Sequence, residues 1–255
     1  MKIVKLILLG LVAGFISAAF GIGGGVIIMP ALILLFGYDM KRAIAPSLVS
    51  IIPQVAVAVT TYLLIQAELI VWRVALITIT GAIIGSRLGA LFVRRIKVSV
   101  LQKAFAVLMF ITGLKLVGLD IPTQSFVDAP ALWLIVTGLL AGSGSALFGI
   151  GGGVIMVPAF NLFFGLSIQS AIATSLAVIL PTVAAGYFFH RKLGKVDTDI
   201  YKYMVPASLF GAVLGAVTAS LLPAAILKTA FGVFQIIISI KIFFQKIKSE
   251  AAPEP

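Results

Sequence analysis

GIGGGVIIMP, residues Gly21–Pro30, returns as GIGGGVIMVP at Gly149–Pro158. The offset of 128 residues holds without a gap from Gly14/Gly142 to Pro53/Pro181, and 23 of those 40 pairs are identical. Half of a 255-residue chain is close to 128, so the chain is an internal duplication. The duplicated element is a glycine run that breaks a helix inside apolar sequence. In membrane proteins, interrupted hydrophobic segments at matching places in two halves point to a binding site.

The rest of the composition sets the solvent. The chain is 61% hydrophobic and 11% charged, with a mean hydropathy of +1.22. Soluble domains average about 25% charged residues. Apolar stretches near the roughly 20 residues needed to span a bilayer recur from end to end. The alternation of a transmembrane β-barrel is missing. An all-α integral membrane protein is therefore expected, with no sizeable soluble domain. Cys is absent, which excludes disulfides, thiol catalysis and Cys-ligated metals. The net charge of +11 fits basic cytoplasmic loops better than nucleic-acid binding. Lys2, Lys5 and the following apolar run imitate a signal peptide, but Ser17-Ala18 matches Ser145-Ala146, and cleavage would destroy one copy of the motif.

Ten hydrophobic segments fit, five per half: about 3–20, 25–37, 40–65, 70–93 and 98–118, then 130–148, 153–165, 167–190, 199–221 and 224–245. Eight are long. The two that follow the glycine runs are short, about 20 Å as helices against a roughly 30 Å hydrocarbon core. If each short segment still carries the chain across, Lys41, Arg42, Arg94, Arg95, Lys97, Arg191, Lys192, Lys195, Lys246 and Lys248 fall inside. Both termini are then cytoplasmic, in the plasma (inner) membrane, as the positive-inside bias requires. Five crossings per half make the halves inverted-topology repeats. The first spans 1–120 and the second 130–246, with a polar link at 121–129 and a polar tail at 247–255.

Glycines free backbone N–H groups, and each short helix begins with unpaired donors at the positive end of its dipole. Such ends bind anions without a charged side chain. Two of them facing each other at mid-depth would hold a small oxyanion between them. The candidate substrate-binding residues are Gly23, Gly24 and Gly25 with Gly151, Gly152 and Gly153. Ser47, Gln54, Thr174 and Ser175 join them from the next segment, where the bland reading is helix–helix hydrogen bonding. Ser17, Ser145, Thr182 and Arg87 are weaker candidates; Arg87 also has the length to snorkel to the interface. Asn161, matched by Ile33, reads as a helix–helix hydrogen bond. His190 reads as interfacial, beside Arg191 and Lys192. Gly81, Gly85 and Gly89, echoed by Gly211 and Gly215, read as close-packing positions with no ligand role. On that reading Gly85→Ala costs less transport than Gly24→Val.

All eight acidic residues fall in loops, helix ends, the link or the tail. A cation pump or carboxylate proton relay needs one within a span, so an anion is favoured. A coupling ion, H⁺ or Na⁺, remains compatible. No nucleophile–base or metal cluster appears, so neither an enzyme nor a cofactor is expected.

At these residues the chain resembles the TauE/SafE family of membrane proteins, also known as sulfite exporters. The likeness rests on Gly14–Pro30 and Gly142–Pro158, each continuing into Ala-Ile-Ala-x-Ser-Leu at Ala43–Leu48 and Ala171–Leu176. The resemblance implies an integral transporter of small sulfur oxyanions such as sulfite or organosulfonates. The combined expectation is a secondary carrier that exports such anions by alternating access. An anion channel, or a carrier or importer of another small anion, is the alternative.

Overall fold

A computed structural model of the chain describes residues 2–37, 40–92, 98–118, 130–190 and 200–244. Within them ten α-helices follow the ten apolar segments, and no strand occurs. The first half holds α1 (Lys2–Phe20), α2 (Gly25–Phe36), α3 (Met40–Gln66), α4 (Trp72–Phe92) and α5 (Val98–Val117). The second holds α6 (Ala131–Phe148), α7 (Gly153–Leu162), α8 (Ile168–His190), α9 (Val205–Leu221) and α10 (Ala224–Phe244). A 3-10 turn, Ala67–Leu69, precedes α4, and a π-helical turn, Ile200–Met204, leads into α9. The link at 121–129, the tail at 247–255 and the side chain of His190 lie outside the described residues. So do the loop charges at 94–97, 191–195 and 246–248.

Polarity is turned inside out. Leu64 is 82% exposed and Phe210 71%, whereas Ser17, Ser47, Gln54, Ser175 and Gln235 are buried. Water would penalise that apolar surface; lipid does not. Five spans among the described residues are long and apolar enough to cross a membrane: Ile3–Phe20, Ala43–Leu69, Ile168–Phe188, Lys202–Leu221 and Ala224–Phe244. Of the other three long segments expected, α4 and α5 are 21 and 20 residues long and carry two basic residues each, Arg73 and Arg87, and Lys103 and Lys115. The third, α6, ranks with the shorter apolar helices. The chain is a multi-pass membrane protein. Helices α2 and α7 have 12 and 10 residues, so they rise about 18 and 15 Å, well short of the hydrocarbon core.

The contacts between helices are reciprocal. α4 packs on α6 as α9 packs on α1, and α4 meets α8 as α9 meets α3. α3 lies against its counterpart α8, and α5 against α10. Small residues make the first two crossings close. A Cβ on Gly81 or Gly85 would overlap the carbonyl oxygen of Ile135 or Leu139, and one on Gly138 or Gly142 that of Thr78 or Ala82. At the matching crossing, Gly10 and Gly14 press on the Met204 and Ser208 carbonyls, and Gly211 and Gly215 on those of Leu11 and Phe15. Gly85 is therefore no mild position: even one methyl meets backbone.

One repair holds α7 together. Pro158 lacks an N–H, which leaves the Val154 carbonyl without its helical partner. Buried Gln235 of α10 donates Nε2 to that oxygen at 3.1 Å, and its Oε1 accepts from Thr112 Oγ1 of α5 at 3.2 Å. Three helices are tied by one amide. Replacing it with Leu strands the Val154 carbonyl in a dry interior, at a cost of about 1–3 kcal/mol.

Two outcomes follow for the detergent-solubilised protein. Gly85→Ala and Gly215→Ala lower the melting temperature, whereas Gly186→Ala does not, because a Cβ there meets only Leu48 Cδ1 at 3.6 Å. Thermal melts of the three variants check this, and equal melts would mean the close crossings bear no load. Gln235→Leu also lowers the melting temperature, and adding Thr112→Val costs little more, since both side chains belong to one network.

Candidate functional site

The repeated glycines end one helix and start the next. After α1 the chain turns at Gly21 (φ 67°), and Ile22 N donates back to Ser17 O at 3.2 Å. After α6 it turns at Gly149 (φ 63°), whose own N donates to Ser145 O at 2.8 Å. Both are glycine-terminated helix ends of the left-handed kind. Gly23 and Gly24 (φ 82° and 70°), like Gly151 and Gly152 (φ 88° and 82°), then hold left-handed backbone, where an L side chain costs about 1–2 kcal/mol per residue.

The helices that follow start alike. Ile27 N and Ile28 N both reach Gly24 O at 3.0 Å; Ile155 N and Met156 N reach Gly152 O at 3.1 and 3.3 Å. No side chain caps either start. The N–H groups of Gly25 and Val26, and of Gly153 and Val154, come before the first intrahelical bond and are left over. All four residues are buried. The interior thus contains two positive helix ends whose first donors have no acceptor among the described residues.

The two turns meet. A Cβ on Gly25 would overlap the Gly149 carbonyl oxygen, and one on Gly153 that of Gly21. A Cβ on Gly23 would lie 3.4 Å from Gly151 Cα, and the reverse distance is also 3.4 Å. Ser47 Oγ donates to Gly149 O at 2.8 Å, and Ser175 Oγ reaches Gly21 O at 2.8 Å with Ile172 O as a second acceptor at 2.7 Å. Each serine thus serves the opposite half. Ile179 lies over the contact, its Cγ2 3.3 and 3.5 Å from Cβ positions built on Gly23 and Gly151. In this conformation an oxyanion has no room between Gly23 and Gly151 until the turns part.

The remaining candidates divide. Gln54 is buried and donates Nε2 to Gly23 O at 3.1 Å. Ser17 is buried in the last turn of α1, and its Oγ has no partner among the described residues. Ser145 is buried at the matching place in α6. Thr182, the counterpart of Gln54, turns its hydroxyl to Val178 O of its own helix at 2.7 Å. Thr174 faces elsewhere: its Oγ1 accepts from Val71 N at 3.0 Å and lies 3.4 Å from Leu69 O, tying α8 to the turn before α4. Arg87 is exposed on α4. Asn161 bonds locally, donating Nδ2 to Leu166 O at 2.8 Å where α7 ends; the helix–helix bond expected for it is not the one made.

Four contributors carried no site assignment from sequence. Ile51 and Ile179, identical across the repeat, wall both turns. Tyr62 donates its buried hydroxyl to Ala18 O at 3.2 Å, beside the end of α1. Gln235 was signalled only as a lone amide in an apolar run.

Comparison with known proteins agrees with this architecture. The model of the family "Sulfite exporter TauE/SafE" matches residues 1–116 and 134–255. A probable membrane transporter protein of Bacillus subtilis, YunE, is 27% identical over 246 residues, covering 85% of this chain and 88% of its own. Another of Haemophilus influenzae is 28% identical over 261 residues, covering 94% and 97%. A third, of Methanocaldococcus jannaschii, is 27% identical over 207 residues, covering 78% and 75%. No solved structure matches. With a family match over both halves and its glycine turns included, the chain belongs to the TauE/SafE family of membrane proteins.

Proposed function

We propose that the protein is a secondary transporter that exports small sulfur-containing oxyanions, of the sulfite or organosulfonate class, by alternating access. One observation carries the reading: two buried helix starts, α2 and α7, come together, and among the described residues their first N–H donors have no acceptor and no capping side chain. Backbone polar groups left open inside a membrane protein are tolerated where they meet protein, water or substrate. Opposed positive helix ends favour a negative guest. The sulfur class comes from the family description, and transport from the names of the relatives. The contact between Gly23 and Gly151 supports a carrier over a standing pore, since a carrier must close on each side in turn.

The halves are read as inverted repeats. The reciprocal contacts of α1·α9 with α6·α4, and of Ser47 with Ser175, support a two-fold relation between them. The odd number of segments per half turns that relation into opposite orientations in the bilayer, with both termini cytoplasmic. Substrate access then alternates around the glycine contact.

Purified protein in proteoliposomes should move labelled sulfite down an imposed gradient and concentrate it when a proton or sodium gradient is applied. Gly24→Val and Gly152→Val, which put branched side chains on left-handed backbone, should each lower that flux more than tenfold, while Gly186→Ala keeps it. Wild-type flux through both turn variants, with normal insertion, would remove the turns from the site. The absence of native cysteine makes orientation simple to read. Ser125→Cys should react with an impermeant maleimide from outside intact cells and Ser249→Cys only after permeabilisation; the opposite pattern would overturn the orientation.

A further inference from the structure

The glycine turns are nearly interchangeable between the halves, but the residue behind them is not. Position 54 is Gln, and the matching position 182 is Thr. The Gln54 side chain is fully buried. Its Nε2 donates to Gly23 O at 3.1 Å, which fixes the amide, because the flipped group would set oxygen against oxygen. Oε1, an acceptor only, then has no partner among the described residues. The amide lies against the turn itself: a Cβ on Gly24 would overlap Nε2, and would sit 3.1 Å from Gln54 Cδ and 3.2 Å from Ala13 O. Ser17 stands one turn beyond Ala13 on the same face of α1, and its Oγ is likewise buried and without a partner. In the second half Gly152 faces the equivalent backbone, with Ala141 O at 2.7 Å from a built Cβ, but no amide backs it and Thr182 is turned to its own helix.

An unmet carbonyl oxygen in a dry interior costs about 1–3 kcal/mol. Here that cost is retained in a side chain packed on Gly24, the residue just before the N–H groups of Gly25 and Val26, which have no acceptor among the described residues. The donors and the positive helix end select negative charge. The lone acceptor selects a hydrogen-bond donor. A metal cation would satisfy Oε1 but would sit against the positive end of α2. An anion that brings its own donor satisfies both.

We propose that the first glycine turn is a recognition subsite for oxyanions that carry a donor, either a singly protonated oxyanion such as hydrogen sulfite or a hydroxylated sulfonate. The N–H groups of Gly25 and Val26 take the ionised oxygen; Gln54 Oε1 takes the O–H. The second turn, with Thr182 turned away, provides charge complementarity alone. This subsite rests on the anion-transport reading above.

The test is competition against labelled sulfite uptake in proteoliposomes by ethanesulfonate and 2-hydroxyethanesulfonate, which differ by one hydroxyl. For the wild type, half-inhibition by the hydroxylated compound is expected at about tenfold lower concentration. Gln54→Met, similar in length but without the amide oxygen, should bring the ratio to about one; Thr182→Val should leave the ratio as it is. Equal inhibition by the two sulfonates in the wild type overturns the subsite while leaving anion transport standing, and needs no variant to fold. A tenfold ratio that survives in Gln54→Met also overturns it. So does a change in sodium dependence in Gln54→Met without a change in ratio, which would assign the amide oxygen to a cation. If sulfite is not moved and neither sulfonate competes, the transport reading itself fails and the subsite falls with it.

Discussion

A helix cannot be interrupted within a bilayer unless something meets the backbone groups the break sets free. This protein interrupts two, and much of its buried polar chemistry answers them. Ser47 and Ser175 meet the carbonyls of Gly149 and Gly21 across the two halves. Gln54 meets Gly23, and Gln235 meets the carbonyl that Pro158 releases at Val154. Carbonyls are answered by side-chain donors drawn from three different helices. The N–H groups that open α2 and α7 have no acceptor among the described residues, and they all carry the same partial charge.

The turns are held by the helices that deliver them. Lipid supplies no hydrophobic force between helices, so close approach of backbones does the work. α1 leads into the first turn and is clamped to α9 through Gly10, Gly14, Gly211 and Gly215; α6 leads into the second and is clamped to α4 through Gly81, Gly85, Gly138 and Gly142. Each turn therefore rides on a tight helix pair. In the alternating-access cycle proposed above, the motion that parts Gly23 from Gly151 would be a displacement of one pair against the other. The serine bonds between halves are the polar contacts such a motion must exchange.

How much of this was legible depends on whether a feature is local. The ten helices could be read from apolar segments punctuated by Gly, Pro and charge, and the brevity of α2 and α7 was visible as spacing. The glycine turns were legible because left-handed backbone and close contact exclude other residues at several successive positions, twice. Side-chain direction was not. Thr174 adjoins Ser175 in sequence, but the two point about 100° apart around α8, so one reaches the opposite turn and the other the segment before α4. Gln235 lies beyond the stretch where the two halves align without a gap, so no repeat singled it out. The repeat suggests that the two turns face each other, but their direct contact at Gly23 and Gly151, across 128 positions, is a distance that motif spacing within each copy does not carry.

Duplication explains the paired helix ends; divergence at positions 54 and 182 makes them unequal. Two identical turns related by a two-fold would present the same donors from both sides, and a ligand would gain nothing by facing one way. Gln at one of the two matching positions, with Thr at the other, breaks that equivalence through a single acceptor. A glutamine there is economical in a membrane interior, because the amide secures Gly23 through Nε2 and leaves its oxygen without a partner among the described residues. A threonine there cannot do both, having one hydroxyl that its own helix already engages. On the proposed subsite, the half with the shorter side chain offers only the charge of its helix end, and the half with the amide adds a sense of direction to it.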